Sequence, residues 1–275
     1  MDTSSVRVEF RSDGVAVLTI DQPGAKVNVL TERLWLDLEV AIDSLRARTD
    51  VVGLVIASGK PGVFIAGADL KLLANATEPN DPAVRAFIVL GLRVLAKLEA
   101  LPFPTCAAID GAALGGGLEV ALASDYRLVG NHPKVRLGLP EVKLGLIPGW
   151  GGTQRLSRIV GLQPAATMLL GGESYSASDA KLMHLAQDGG DNLLESACAF
   201  VVGNRGRVQS EVQKEFVSPS EPEFLAAREA VRVMVEGASL PLDEAIELET
   251  EAFMQLAGSP ESKRLIGEFF ASRKK

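Results

Sequence analysis

The apolar residues of this chain follow two rhythms. Up to about residue 170, short apolar runs of strand character alternate with stretches of helical period, and beyond Leu193 the pattern is almost purely helical. Val6–Phe10 and Val15–Ile20 flank Ser12-Asp13-Gly14 and predict a hairpin. Thr31 stands where an N-cap belongs. Leu34, Leu38, Ala41, Ile42 and Leu45 then form one stripe, which predicts a helix to about Arg46. Val51–Ala57 is a short unbroken apolar run, the pattern of a strand buried on both faces. Asp81-Pro82 predicts a capped helix start, with Val84, Phe87, Ile88, Leu95 and Leu98 on one stripe to about Ala100. Gly91 falls within that stripe, where it lets a neighbouring element approach closely. Thr105–Ile109 and Tyr126–Val129 predict strands, with a helix starting over Gly115–Ala123 between them. Three helices are expected near the C-terminus, over Glu221–Val235, Leu242–Leu256 and Ser262–Ser272. Gly203–Val217, charged and without apolar period, reads as a loop or hinge leading into them. The expected organisation is a layered α/β core over residues 1–200 and a helical part over 201–275.

Composition narrows the possibilities. The chain has 275 residues, 47% hydrophobic and 23% charged, which is ordinary for a folded protein able to form a core without staples. A formal net charge of −7 argues against a nucleic-acid or membrane-surface partner. An anionic small ligand remains open, because a pocket can be locally positive on an acidic protein. No apolar run reaches the ~18 residues of a membrane span, and no signal-peptide pattern opens the chain. Cys106 and Cys198 read as reduced core thiols of a cytoplasmic protein. With only His132 and His184 beside them, no metal site is expected.

The candidate chemistry lies in three glycine-rich stretches: Pro61–Asp69, Asp110–Glu119 and Ile147–Leu156. Each follows an apolar run and precedes a helical pattern, a junction that presents backbone N–H groups to an anion. The middle stretch carries Gly115-Gly116-Gly117, and glycines at a helix start cost about 1 kcal/mol each relative to alanine. Close approach of a ligand to the backbone explains such a cost; a tight strand-to-helix turn without a ligand is the competing reading. A phosphate-binding P-loop is rejected because Gly117-Leu118 stands where Lys-Ser/Thr is required. The dinucleotide fingerprint fails at Val120, where its third glycine belongs. Glu119 lies about one turn into the helix, and Glu141 lies in Leu139-Pro140-Glu141-Val142. Carboxyl groups in apolar, glycine-rich surroundings gain proton affinity and become usable general acids or bases. Each alone could be ion-paired or solvated; together, beside an N–H-rich turn, they point to acid/base work next to an oxyanion.

Gly111–Asp125 (GAALGGGLEVALASD) and Leu137–Arg158 (LGLPEVKLGLIPGWGGTQRLSR) resemble the signature region of the crotonase superfamily of enoyl-coenzyme A hydratases and isomerases. Phe64–Asp69 (FIAGAD), Ala25–Leu30 (AKVNVL) and Ser176–Ala180 (SASDA) fall in the same order as in that superfamily, so the likeness runs over essentially the whole chain. Ala25–Leu30 and Ser259–Arg273 are most similar to the hydratase/isomerase portion of multifunctional fatty-acid oxidation proteins. The dehydrogenase part that follows in those proteins is absent here.

The resemblance implies an α/β spiral of ββα turns with a helical C-terminal trimerisation domain, forming homo-oligomers as trimers or hexamers. It implies an enzyme that adds water across the 2,3 double bond of an enoyl-CoA thioester and also isomerises 3-enoyl- to 2-enoyl-CoA. The thioester oxygen would sit between the backbone N–H groups of Ala68 and Gly116. Glu119 would activate the water, and Glu141 would supply the α-proton. Lys26, Val27, Ala66, Ala68, Asp69, Leu70, Lys71 and Gly116 would contact substrate and coenzyme A, with Lys60 a further candidate cation. Coenzyme A would be part of the substrate, and no separate cofactor is expected. The alternatives are isomerisation alone, hydrolysis, decarboxylation, or acyl-CoA binding without catalysis. Two features depart from the pattern: Lys181–Asn192 replaces a Gly-Leu-Val-Asp turn, and Trp150 occupies a turn where smaller residues are common. Packing, rather than a substrate wall, is the expected role of Trp150.

Overall fold

The structure, a computed structural model, describes residues 4–204 and 224–273. The chain begins with strands β1 (Val6–Phe10) and β2 (Val15–Ile20), helix α1 (Glu32–Arg46), β3 (Gly53–Ser58), β4 (Gly62–Ile65), α2 (Leu70–Asn75) and α3 (Pro82–Glu99). There follow β5 (Thr105–Ile109), β6 (Gly111–Leu114), α4 (Gly116–Leu122), β7 (Tyr126–Gly130), β8 (Arg136–Gly138) and a 3₁₀ turn (Glu141–Leu144). Next come α5 (Gly152–Val160), α6 (Leu162–Gly171), β9 (Ser174–Tyr175), α7 (Ala177–Leu182), β10 (Gln187–Gly190) and α8 (Leu193–Gly203). Helices α9 (Leu225–Gly237), α10 (Leu242–Leu256) and α11 (Pro260–Ser272) complete the described chain. The expected loop over Gly203–Val217 lies outside the described residues, apart from its first two.

Two compact units alternate along the sequence. The first comprises residues 1–68, 93–137 and 175–209; the second comprises 69–92, 138–174 and 210–275.

The first unit is built on a six-stranded sheet in the order β1-β2-β3-β5-β7-β10. The β1–β2 hairpin is antiparallel, and every later pairing is parallel. Strands β2, β3, β5 and β7 are nearly unbroken apolar runs because both of their faces are covered. One face packs on α8, where Val15, Val17, Val55, Cys106, Ala108, Tyr126 and Leu128 meet Ala197, Cys198 and Val201. Both thiols are free and buried in this cluster. Burial pushes the Cys106 thiol up to about 12. Between β3 and β8, strands come in consecutive pairs: β3, β5 and β7 enter this sheet, while β4, β6 and β8 enter a four-stranded sheet ordered β4-β6-β8-β9. That paired repeat, interrupted by helices, is the ββα pattern expected of the fold.

Among the described residues, the regular structure of the second unit is helical apart from its share of β8 and β9. Its core includes Phe87, Ile88, Trp150, Leu156, Met168, Leu169, Met234 and Phe253, all buried. Gly91 of α3 has the function its position predicts. A β-carbon there would run into the Trp150 indole, which donates from Nε1 to the carbonyl of Ile88 at 3.1 Å and stacks edge-on against Phe87 at 5.3 Å. Trp150 is thus a core residue seated in a notch of α3. Of the C-terminal apolar residues, Leu256 and Ile266 are buried within the chain, whereas Leu265, Phe269 and Phe270 are half-buried. Among the described residues, no helix is long and apolar enough to cross a membrane.

Candidate active site

Strand β4 runs parallel to β6, with Ile65 opposite Ala113, so the chain leaves both strands side by side. The continuation of β4 is held by the segment before α1. The Ala66 N–H donates to Asn28 O at 2.8 Å, the Leu30 N–H donates to Gly67 O at 2.9 Å, and Leu30 bridges Ala68. Asn28, fully buried, anchors that segment. Its Nδ2 donates to Ile20 O and Phe64 O, and its Oδ1 accepts from the Gln22 N–H.

The continuation of β6 is the triple glycine. Gly115 takes φ 54° and ψ −127°, a backbone conformation only glycine adopts without strain, and this turns the chain directly into α4. Gly117 lies so close to β4 that a β-carbon would strike the Ile65 carbonyl. The two chain exits therefore adjoin, with residues 66–68 beside 114–117. Among the described residues, neither the Ala68 nor the Gly116 N–H donates to a protein acceptor. The Gly116 N–H belongs to the first turn of α4, where no intrahelical acceptor exists. Two uncommitted donors on adjacent chain ends can receive an anionic oxygen.

Glu119 follows in the same first turn, 1% exposed. The far end of α4 is closed by Arg127 of β7. Its guanidinium donates to Ala121 O, Ser124 O and Leu185 O, and burial brings its pKa down to about 10. The short helix carrying Glu119 is thereby fixed at both ends.

The second unit places Glu141 at the start of the 3₁₀ turn. Gly145 ends this turn in the left-handed conformation, and a β-carbon there would crowd the backbone of Ser262 in α11. The Glu141 residue is half-buried as a whole, yet its Oε2 is shut off from solvent and meets no donor among the described residues. Burial pushes its pKa above the ordinary carboxylate range; its own backbone N–H opposes this, and the charge of Glu249 adds to it.

This burial has a consequence for stability. Folded Glu141 keeps a proton that the unfolded chain releases near the ordinary glutamate value of about 4.5. Its contribution to stability is therefore full below that pH and is lost as pH rises toward the elevated folded value. Glu141→Gln removes this dependence. The variant should gain stability relative to the parent by up to about 1.4 kcal/mol per pH unit above pH ~4.5. Chemical denaturation of both proteins at pH 5 and pH 7 measures it; a stability gap that does not change with pH contradicts the assignment.

Residues 10–188, well over half of the chain, match the enoyl-CoA hydratase/isomerase family. The protein belongs to this family. It is also similar to an enoyl-CoA hydratase from Bacillus anthracis at 27% identity and TM-score 0.67, covering 98% of this chain and 97% of that one. An enoyl-CoA hydratase from Bacillus halodurans matches at 24% identity and TM-score 0.76, covering 96% and 100% of the two chains. The human mitochondrial delta3-delta2-enoyl-CoA isomerase matches at 20% identity and TM-score 0.77, covering 98% of both. The last two establish the shared crotonase fold.

Within this hydratase/isomerase chain, Ala66, Ala68, Gly116 and Glu119 come together in the first unit, while Glu141 belongs to the second. Asp69 caps α2 by accepting from the Lys71 N–H at 3.1 Å. Lys26 and Lys71 are exposed, and Val27 and Leu70 are half-buried. Lys60 is not a free cation: its ammonium donates to Gln22 O at 2.8 Å and pairs with Asp21 at 2.6 Å. The Ala66 N–H is likewise committed, to Asn28. Sequence reasoning missed Asn28, Arg127 and Glu249. The available signals were a lone Asn between Val27 and Val29, a lone Arg inside an apolar strand, and a Glu spaced four residues from both Ala245 and Phe253 on an apolar helical stripe.

Proposed function

We propose that the protein is an enoyl-CoA hydratase that adds water across the 2,3 double bond of an enoyl-CoA thioester. The observation that carries this reading is the pair of uncommitted N–H groups, Ala68 and Gly116, on adjacent chain ends within one turn of a buried glutamate. The thioester oxygen accepts from both N–H groups. As negative charge builds on that oxygen, two fixed donors stabilise it without having to reorient. Glu119, as a carboxylate, takes a proton from water while the water oxygen bonds to the β-carbon. Glu141, kept protonated by burial, gives its proton to the α-carbon. The sum is one water added, and the pair resets by moving one proton from Glu119 to Glu141. With both carboxyl groups present, the same machinery can shift a 3-enoyl to a 2-enoyl double bond by moving a proton between the α- and γ-carbons.

Coenzyme A enters as part of the substrate, and this chemistry requires no further cofactor. Lys71 lies three residues after Ala68, and Lys26 lies on the segment that holds the donor loop; both are exposed. Contacts of this exposed kind are weak and screened over about 8–10 Å. Apolar burial of the acyl and pantetheine groups, at about 0.8 kcal/mol per CH₂, must then supply much of the affinity. A trimer, or a pair of trimers, is the proposed assembly, covering Leu265, Phe269 and Phe270; a reducing, cytoplasmic setting suits the two buried thiols.

The test follows loss of the conjugated enoyl-thioester absorbance with four-, six- and ten-carbon 2-enoyl-CoA substrates at two salt concentrations. Hydration is expected, with affinity depending more on chain length than on moderate salt. Thioester cleavage without hydration, or acyl-CoA binding with no turnover of any 2- or 3-enoyl substrate, would overturn the reading.

A further inference from the structure

Three buried polar side chains bind main-chain groups far from them in sequence. Arg127 closes the far end of α4. Glu249 accepts from the Gly151 and Thr153 N–H groups at the start of α5, at 2.6 and 2.8 Å. Of the three, Asn28 is the one that holds the donor loop. Among the described residues, strand β4 lies at the edge of its sheet, with β6 on one side. Its other side, continued through residues 66–68, meets the 28–30 segment.

Parallel strands in regular register repeat one pattern. A residue donates its N–H to the residue before its partner and accepts at its C=O from the residue after. Asn28 meets Ile65 in that way, with one exchange. The Asn28 C=O accepts from the Ala66 N–H at 2.8 Å, but the donor to Phe64 O is the side-chain Nδ2, at 3.1 Å, where regular pairing uses the main-chain N–H. The same amide donates to Ile20 O at 2.9 Å and Ser58 Oγ at 3.0 Å. It therefore acts as a spacer between the N–H side of residue 28 and β4.

Continued in register, Leu30 would pair with Gly67. Its N–H would donate to Ala66 O, and its C=O would take the Ala68 N–H. The structure is one residue out of step. The Leu30 N–H donates to Gly67 O at 2.9 Å, and Leu30 bridges Ala68. Two steps on one segment, 28 to 30, thus face three on the other, 65 to 68, which is the count of a β-bulge. Gly67, at φ 119°, gives the surplus residue a conformation that side-chain-bearing residues rarely adopt. The slip withholds the Leu30 carbonyl that regular pairing would give to the Ala68 N–H.

We propose that Asn28 is a positioning residue for the oxyanion site: its side-chain amide holds the 28–30 segment one residue out of register with the 66–68 loop and so keeps the Ala68 N–H available to a ligand oxygen. This rests on the reading of Ala68 as an oxyanion donor. Phe64 is fully buried, and its carbonyl needs a donor. Without the amide, the N–H of residue 28 closes on that carbonyl. The segment then pairs regularly, and Leu30 O captures the Ala68 N–H.

The test compares the parent with Asn28→Ala and Gly67→Ala. A β-carbon on Gly67 would lie in ordinary contact with Leu114 O at 3.4 Å, so alanine there challenges the backbone conformation rather than the space. One readout needs no turnover: the infrared carbonyl band of bound hexanoyl-CoA, isotope-labelled at the thioester carbon. Two N–H donors lower its frequency relative to free hexanoyl-CoA, and both variants should return it part of the way. Amide hydrogen exchange without ligand is the second readout, and the Ala68 amide should exchange more slowly in both variants than in the parent. With a 2-enoyl-CoA, kcat should fall about 10²–10³-fold, the effect of one lost oxyanion donor, while KM stays near the parent value. A folded Asn28→Ala with a lowered melting temperature but a parent-like band and parent-like Ala68 exchange would reduce Asn28 to a packing residue and overturn the proposal. If Asn28→Ala does not fold, Gly67→Ala decides, and an unchanged band and exchange there overturn the proposal equally. A parent that hydrates nothing, yet shows the lowered band and its return in both variants, would sink the proposed reaction and leave the role of Asn28 intact.

Discussion

Glu119→Gln and Glu141→Gln should each lower hydration turnover by about 10²–10⁴-fold and leave acyl-CoA affinity close to that of the parent. The two substitutions disable different proton transfers. An amide at position 119 has no basic oxygen strong enough to take a proton from water, so the attack on the β-carbon must proceed from neutral water. An amide at position 141 has no acidic proton to give, so the enolate formed by attack waits for one from solvent. Neither change alters volume appreciably, and neither side chain belongs to the apolar cluster between the six-stranded sheet and α8. Binding should therefore persist while chemistry fails. Steady-state kinetics with a 2-enoyl-CoA, paired with calorimetry using a saturated acyl-CoA, separates the two. Parent-like turnover in either variant removes that carboxylate from the mechanism.

The second large effect comes from a backbone atom. Gly116→Pro should reduce kcat by about 10²–10³-fold while leaving the fold in place, because it deletes one oxyanion donor and little else. Gly116 is the first residue of α4. That is the helical position where proline is best tolerated, since its missing N–H has no intrahelical acceptor to lose. Circular dichroism and the melting temperature check that the helix survives; kinetics then reads the donor. Retained turnover in a folded Gly116→Pro would show that the thioester oxygen is held elsewhere.

The parts of the fold legible in the sequence are those whose signals are local. The β1–β2 hairpin and α10 have the bounds that their patterns predict, and α1 starts behind Thr31, which accepts from the Leu34 N–H. Helix α3 ends one residue from its expected limit. The parts that escaped are those made by pairing. Strands β4 and β6 are four residues each and contain the glycines that read as turn; they become strands because each finds the other in parallel register. Strand β10, Gln187–Gly190, has no apolar pattern and is a strand only because β7 offers it an edge. It lies within the stretch, Lys181–Asn192, that departs from the crotonase pattern. The candidate site divides in the same way. Glu119, Glu141 and the glycine turn are visible in sequence because they are unusual residues in apolar company. Asn28, Arg127 and Glu249 are defined by backbone groups that are distant in the chain, and periodicity carries no information about those partners.

Trp150, seated in the notch at Gly91, also has a spectroscopic use. The chain has two tryptophans. Trp35 is buried in α1 of the first unit, and Trp150 is buried in the second. Each compact unit thus carries its own fluorophore. Single-tryptophan versions, Trp35→Phe and Trp150→Phe, would let emission follow one unit at a time through denaturation. Coincident or separated transitions then show whether a chain that threads between its units several times melts as one cooperative block or two.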